Sequence, residues 1–431
     1  MMTLPLNLGQ QAAADGFFDF LFSDTKELII SGPGGVGKTF LMGHLIDKIL
    51  PQYFESCALM GIPSEYDEVV MTATTNKAAE VLGHSTGRPA QTIQSFLNLK
   101  VTDDYSTGRS QLSKTNNWRV HQKKIIFIDE CSMIDSPLRK MILEGTIKCK
   151  IIYVGDDRQL SPVMESISPI YRDPLPFFKL TQPMRNADQP YLRAVCDQLR
   201  ATVATKEFHP IQIVPGVIDL LDAEQMESRL RADFMLQNPA CRILAYTNQR
   251  VTDYNAFIRE VRGLPDEFTV GEMLINNSAI RLKSAMLSVE EEVEVIQLSD
   301  QTEMITIEDG VELEVRIATL RNSYGEQFYN VPLPVDRHHY SELIKYYRRL
   351  KNWNRYFFLK NQFPDLRPRD AATIHKAQGS TYDAVYIDLG NLSTCHNPDM
   401  VARLLYVAFT RAKNRVFLFG DLAAKYGGLA Y

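Results

Sequence analysis

Four glycines, a lysine and a threonine fall together in Gly32-Pro33-Gly34-Gly35-Val36-Gly37-Lys38-Thr39, between the apolar run Leu28-Ile29-Ile30 and the helical pattern Phe40-Leu41-Met42-Gly43-His44-Leu45-Ile46. Small residues at Gly32, Gly34, Gly35 and Gly37 let backbone N–H groups close around phosphate oxygens, and a helix opening at Lys38 adds its positive end. Lys38 is expected to reach the β- and γ-phosphates of ATP, and Thr39 to hold Mg²⁺. With glycine at about 7% of average composition, a chain of this length carries the pattern by chance only ~1–3% of the time, so an idle glycine turn explains it poorly. Two carboxylates come next. Asp129 and Glu130 end the apolar run Ile125-Ile126-Phe127-Ile128, which suits Asp129 to Mg²⁺ and Glu130 to the general base that activates water. Gln159 follows the apolar run Ile151-Ile152-Tyr153-Val154, where it can sense a γ-phosphate, and Arg185 is the first arginine able to point back at it.

Weaker signals sit at other helix starts. Gln10 precedes the first strand, and its amide matches adenine N6 and N7, although most glutamines are surface residues. Thr74-Thr75-Asn76-Lys77 and Gln91-Thr92-Ile93-Gln94 each open a helical piece. Thr74, Asn76, Lys77, Thr92 and Gln94 suit contacts to a nucleic-acid backbone, and plain N-capping explains such residues equally well.

These residues need elements to hold them at one edge. Runs at 68–74, 123–128 and 149–154 read as buried parallel strands, which deliver their following residues to the C-terminal edge where open α/β sheets bind ligands. Runs at 242–248, 384–389 and 415–419 suggest a second sheet of the same kind. Between them, 292–296, 304–308 and 311–317 alternate with period two around Asp309-Gly310, a hairpin signal. Residues 346–358 mix base and ring, and either stack nucleobases or pack their rings on that small sheet. Residues 100–119 are polar with little periodicity and read as a long connection.

At 431 residues, with 45% hydrophobic and 23% charged composition, the chain can hold two or three globular domains. Its net charge of −5 confines any nucleic-acid site to a local groove. Six scattered cysteines without zinc spacing are expected to be reduced. No apolar run approaches the ~18–20 residues of a membrane span and no basic leader opens the chain, so a cytoplasmic protein is expected.

The segments GPGGVGKT, TATTNKAA, IDECSM, GDDRQLSPV, LTQPMR, ATIHKAQGST and LLYVAFTRAK, in this order, resemble the superfamily 1 DNA helicases, and within them the RecD-like, Dda-type branch of superfamily 1B. One departure is Gln94, where relatives commonly carry histidine. The resemblance implies an α/β fold of two RecA-like parallel-sheet domains with an inserted SH3-like β-barrel and a short pin. Residues 1–184 would form the first domain, with the pin at about 97–120. Residues 185–267 and 370–431 would form the second, and 268–369 the insertion. It also implies ATP and Mg²⁺ as cofactors, Arg411 as a second finger on the γ-phosphate, and DNA contacts from Thr247, Asn248, Thr373, His375 and Lys376.

The expected activity is ATP-driven movement on single-stranded DNA, 5′ to 3′, with unwinding at a fork in replication, recombination or repair. The alternative is an ATP-gated DNA-binding or protein-displacing translocase that separates no strands. One chain supplies both halves of the cleft, so a monomer suffices. Single-stranded-DNA-binding or replication proteins are expected partners, in a bacterial or phage-infected cytoplasm.

Overall fold

The fold is taken from a computed structural model that describes residues 5–162, 165, 167–182, 189–282 and 285–431. Its first sheet has six strands, in the order Phe177–Lys179, Glu27–Ser31, Lys150–Gly155, Lys124–Asp129, Glu68–Ala73 and Ala90–Thr92. All neighbours are parallel. Ile126, Phe127, Ile128, Ile151, Ile152 and Val154 are fully buried, because a parallel sheet is covered on both faces. Each such side chain contributes about 1.5–3 kcal/mol on leaving water.

One covering helix runs on from the glycine loop. It is α-helical over Lys38–His44, widens to a π turn over Leu45–Ile49, and resumes as α-helix over Leu50–Met60. Its buried residues include a row at every fourth position, Leu41, Leu45, Ile49, Tyr53 and Cys57, flanked by Met42 and Leu50.

The second sheet orders Ile218–Leu221, Ala412–Phe419, Tyr382–Asp388, Cys241–Ala245 and Ala371–Thr373, again all parallel. The helix Pro398–Thr410 is buried continuously from Val401 to Phe409 and packs on the helix Pro190–Thr205. The mixed α/β core is thus two parallel sheets of RecA-like type.

Between Cys241–Ala245 and Ala371–Thr373 the chain makes a five-stranded antiparallel sheet: Gln327–Pro334, Val311–Asn322, Glu292–Glu308, Met273–Asn276 and Leu366–Pro368. The Asp309-Gly310 turn lies where the alternation puts it, with Gly310 at φ 77°. Two helices, Arg337–Arg349 and Trp353–Gln362, lie on it. Tyr347, Phe357 and Phe363 are 1% exposed, and Tyr347 and Phe363 share a core with Ile307, Leu313 and Val315. Of the two readings of the basic-aromatic stretch, packing is what these rings do, while Tyr346 and Phe358 keep exposed surface.

The stretch read as a long polar connection forms a hairpin, Leu99–Asp104 paired with Arg109–Lys114. Its periodicity is silent because most of both faces meet solvent, Val101 included. Local bonds make the turn: Asp104 Oδ1 accepts from the Ser106 backbone N–H at 2.8 Å, and Oδ2 from the Thr107 hydroxyl at 2.6 Å. The hairpin leans on the helix Trp353–Gln362. Tyr105 and Phe357 have ring centroids 4.9 Å apart, and Asn361 Nδ2 donates to Asp103 Oδ2 at 3.0 Å. All six cysteines are free thiols. Among the described residues, no helix is long and apolar enough to cross a membrane.

At Gly108, φ is +70° and an added Cβ would lie 2.4 Å from the Trp353 ring. Gly108→Ala should therefore cost about 1 kcal/mol or more, felt locally. Hydrogen exchange should speed up at the amides of 99–114 and stay slow at 124–129. Unchanged hairpin exchange would mean that the Trp353 contact does not hold it.

Candidate nucleotide site and nucleic-acid interface

Each candidate group of the first sheet stands just beyond the end of a parallel strand. The glycine loop leaves Glu27–Ser31 and turns through Gly35 at φ 81° and Gly37 at φ 78°. Gly37 caps the following helix without a side-chain bond, which leaves first-turn N–H groups for an anion. Gly32 passes so close to the next strand that a Cβ would sit 2.6 Å from the Leu180 carbonyl. Lys38 Nζ donates to the carbonyls of Gly32 at 2.8 Å and Pro33 at 3.0 Å. Thr39 follows in the first turn, partly exposed.

Gln10 lies against this loop, fully buried. Its Nε2 donates to the Val36 carbonyl at 3.1 Å, and its Oε1 accepts from the Asn7 N–H at 3.1 Å in a capping box. Gln10 therefore braces the loop, with a second Nε2 hydrogen and a second Oε1 lone pair beyond these two bonds.

Asp129 ends the strand Lys124–Asp129, and Glu130 takes a left-handed backbone, φ 52° and ψ 39°. Burial, then the neighbouring Glu130, push the Asp129 carboxyl up to about 6, against the pull of Lys38. The residue keeps some accessible surface, so this enclosure is by protein atoms around the carboxyl rather than complete sealing. Glu130 Oε2 and Gln159 Oε1 are buried acceptors with no partner. Among the described residues no three His, Cys, Asp or Glu side chains converge as a metal cage. A pair of crowded acids fits Mg²⁺, which binds through one or two carboxylates and takes its remaining ligands from phosphates and water.

Arg411 caps the helix Pro398–Thr410. Its Nε donates to the Val407 carbonyl at 3.1 Å and its Nη1 to the Ser380 carbonyl at 2.9 Å. It is 5% exposed and points along its own domain, so a contact with phosphate needs it to swing. Arg185 lies outside the described residues.

The junction of the two sheets uses residues that the sequence did not single out. The Asp156 carboxylate, fully buried, accepts from Arg200 Nη2 at 2.9 Å and the Tyr406 hydroxyl at 2.6 Å. Burial works to raise its pKa, but Arg200, then Lys38 and the Tyr406 bond, hold it below the usual carboxylate value. Gln378 Nε2 crosses to Ser132 Oγ at 3.2 Å. One signal was available: Arg403 stands alone among the apolar residues Val401-Ala402 and Leu404-Leu405.

The proposed DNA contacts divide. Lys77 of the first sheet, Asn248, Thr373 and Lys376 of the second, and Arg367 at the end of the antiparallel sheet line one cleft. Lys376 Nζ donates to Asn277 Oδ1 across it, and Asn76 Nδ2 donates to the Val289 carbonyl at 3.0 Å. Thr74, Thr92, Gln94, Thr247 and His375 do not line that cleft. Thr74 Oγ1 donates to the Glu130 carbonyl at 3.1 Å, linking this side of the sheet to the acid pair. Thr92 caps a short helix, accepting from Ser95 N–H at 3.1 Å, whereas Thr75 caps the helix Asn76–Thr86. Gln94 Oε1 is buried without a partner. Thr247 caps Asn248–Val261 and shares Asn391 with the Tyr246 N–H. Burial pushes the His375 imidazole down, toward the neutral form.

The raised Asp129 pKa has a definite sign. A carboxyl near 6 in the fold and about 3.9 unfolded leaves the folded state holding the extra proton between those values, so this group's contribution to stability falls as pH rises through that window. Without metal or nucleotide, Asp129→Asn should melt higher than the unaltered protein at pH 7, and the gap should close toward pH 4. Thermal melts in chelator across pH 4–8 check it, and a gap independent of pH would refute the crowding.

A family model described as an AAA domain matches residues 5–212, and one described as a UvrD-like helicase C-terminal domain matches 370–419. The ATP-dependent DNA helicase dda of enterobacteria phage T4 is 24% identical over 459 aligned positions, covering 96% of this chain and 98% of that protein. Two solved structures share the fold. The Pif1 helicase from Candida albicans has a TM-score of 0.51 at 15% identity, over 99% of this chain and 96% of its own. A Pif1 structure describing DNA unwinding at forked duplex by two coordinating helicases also has a TM-score of 0.51, at 16% identity, over 96% and 92%. The two family models fall on the two parallel sheets in chain order and the phage relative aligns with both from end to end: the chain is an ATP-dependent DNA helicase similar to the superfamily 1B enzymes of the Dda type.

Proposed function

We propose that this ATP-dependent DNA helicase moves 5′ to 3′ along single-stranded DNA as a monomer and opens duplex at a fork with the hairpin Leu99–Lys114 as its wedge. The observation that carries the ATPase reading is the pair of buried, unpartnered acceptors Glu130 Oε2 and Gln159 Oε1 beside the glycine loop. Such an atom costs about 1–3 kcal/mol unless something donates to it, and a water held for attack on the γ-phosphate would supply the donors.

In this reading Gly32, Gly34, Gly35 and Gly37 cradle the phosphates, Lys38 leaves the loop carbonyls for the β- and γ-oxygens, and Glu130 takes a proton from water. Thr39 and Asp129 would hold Mg²⁺, which when bound neutralises charge on those oxygens. Gln159 senses the γ-phosphate, while Arg185 and Arg411 meet the charge that develops as the bond breaks. DNA would cross Lys77, Asn248, Thr373 and Lys376, with Thr74, Asn76, Thr92, Gln94, Thr247 and His375 along the same path. The first domain would run over 1–184, the second over 185–267 and 370–431, with 268–369 as an SH3-like insertion. Gln10 orders the loop at the adenine end.

Polarity rests on the branch. The insertion is mainly antiparallel sheet rather than helical, and the hairpin leans on it, which suits a wedge braced by the second half of the chain. Single-stranded-DNA-binding or replication proteins in a bacterial or phage-infected cytoplasm are the partners this activity would meet.

The test uses two partial duplexes, one with a 5′ and one with a 3′ single-stranded tail, given ATP and a trap strand. Only the 5′-tailed substrate should open. Glu130→Gln, which keeps the cradle, should bind ATP and lose about 10²–10⁴-fold in turnover. Opening of only the 3′-tailed duplex overturns the polarity. DNA-stimulated hydrolysis with neither duplex opened would point to a protein-displacing translocase instead.

A further inference from the structure

The helix Pro398–Thr410 holds one cation inside an otherwise apolar buried stretch, Arg403 between Val401 and Phe409. A guanidinium that is 8% exposed is tolerated there only if its N–H groups have partners. Arg403 Nη1 donates to two backbone carbonyls of the other sheet's loop, Asp157 at 3.2 Å and Gln159. One turn along, the Tyr406 hydroxyl reaches Asp156 Oδ2 at 2.6 Å. From the adjoining helix Pro190–Thr205, Arg200 Nη2 reaches Asp156 Oδ1 at 2.9 Å and Asp157 Oδ1 at 3.0 Å.

The same loop is tied from behind to the strand that feeds the glycine loop. Ser31 Oγ donates to Asp157 Oδ1 at 3.1 Å, and the Gly32 N–H donates to the Gly155 carbonyl at 3.0 Å. The loop at 155–162 therefore has the glycine loop on one side and the helix Pro398–Thr410 on the other. Gln159 rides on the loop, and Arg411 caps the helix. Bonds to backbone carbonyls fix where the main chain goes whatever side chains it carries, and Arg403 makes such a bond at Gln159 itself.

We propose that Arg403 is a positioning residue that locks the Gln159 loop to the helix Pro398–Thr410, so that occupancy of the γ-phosphate site is converted into movement of the second sheet and its grip on DNA. Tyr406 supports it through Asp156. This rests on the nucleotide-sensing role read for Gln159 above. The two sites would be coupled thermodynamically, and the coupling should pass through these bonds.

The decisive measurement is the ratio of single-stranded-DNA Kd values with and without a saturating non-hydrolysable ATP analogue, in the full-length protein. Arg403→Met keeps an apolar stem in an apolar stripe and removes every donor. Tyr406→Phe keeps the ring and removes one hydroxyl. In the unaltered protein the ratio should have the usual size for linked sites, about 5- to 150-fold; Arg403→Met should bring it within about 2-fold of one, with the analogue's own Kd in the absence of DNA changed less than about 3-fold. Tyr406→Phe should give an intermediate ratio. A merely structural role would weaken both ligands together and leave the ratio standing, and that result in folded Arg403→Met overturns the proposal. If melting curves show Arg403→Met unfolded, Tyr406→Phe decides: an unchanged ratio there overturns the proposal. A ratio of one in the unaltered protein would remove the nucleotide-linked grip itself, a failure of the functional reading rather than of Arg403 alone.

Discussion

Two acids held side by side at the end of a buried strand are the constraint around which the first half of the molecule is arranged. Asp129 and Glu130 repel one another and leave bulk water, so the fold must surround them with positive potential. It does so with Lys38 and with the amide-rich mouth of the glycine loop, both brought to the same edge because every strand of the sheet runs the same way. The left-handed backbone at Glu130 ends the strand abruptly, at a conformational cost of about 1–3 kcal/mol. The site is thus tense before any ligand arrives.

Insertion of a whole antiparallel sheet into the second parallel one follows a simpler rule. Its first and last strands, Met273–Asn276 and Leu366–Pro368, pair directly, Leu274 opposite Pro368. The chain leaves and returns at nearly one point, and the parent strands Cys241–Ala245 and Ala371–Thr373 stay in register, Ile243 opposite Ala371. Charge pins this joint: Glu292 receives Arg242 at 3.5 Å and Arg369 at 3.4 Å, and Arg262 pairs with Asp370 at 2.6 Å.

What was legible in the sequence divides along the same physical lines. The strands around Ile30, Ile126 and Ile152 could be read because burial on both faces makes them uniformly apolar, and the glycine loop because its chemistry is local. The Asp309-Gly310 hairpin could be read because one of its faces is wet and one dry. The hairpin Leu99–Lys114 could not, since most of both its faces meet water and its stability comes from bonds around Asp104 and from rings far along the chain. Capping and phosphate contact ask for the same side chains, so a residue such as Thr92, which accepts from the Ser95 N–H, reads alike under both. Asp156, Arg200, Arg403 and Tyr406 meet across more than forty to two hundred and fifty positions, and nothing local marks such a meeting except a charge standing where an apolar residue belongs.

The helix that leaves the glycine loop contains a lesson of phase. Buried residues at 41, 45, 49, 53 and 57 step by four, and on an ideal α-helix of 3.6 residues per turn each step drifts about 40° around the axis. Four such steps would carry the stripe nearly to the opposite face. The wide turn at Leu45–Ile49 takes up an extra residue and winds the stripe back. The helix works like a vernier, keeping Tyr53 and Cys57 seated in the core while Lys38 stays aimed at the loop, and losing one residue at the wide turn would let it tighten to ordinary α-helix with both ends still in phase.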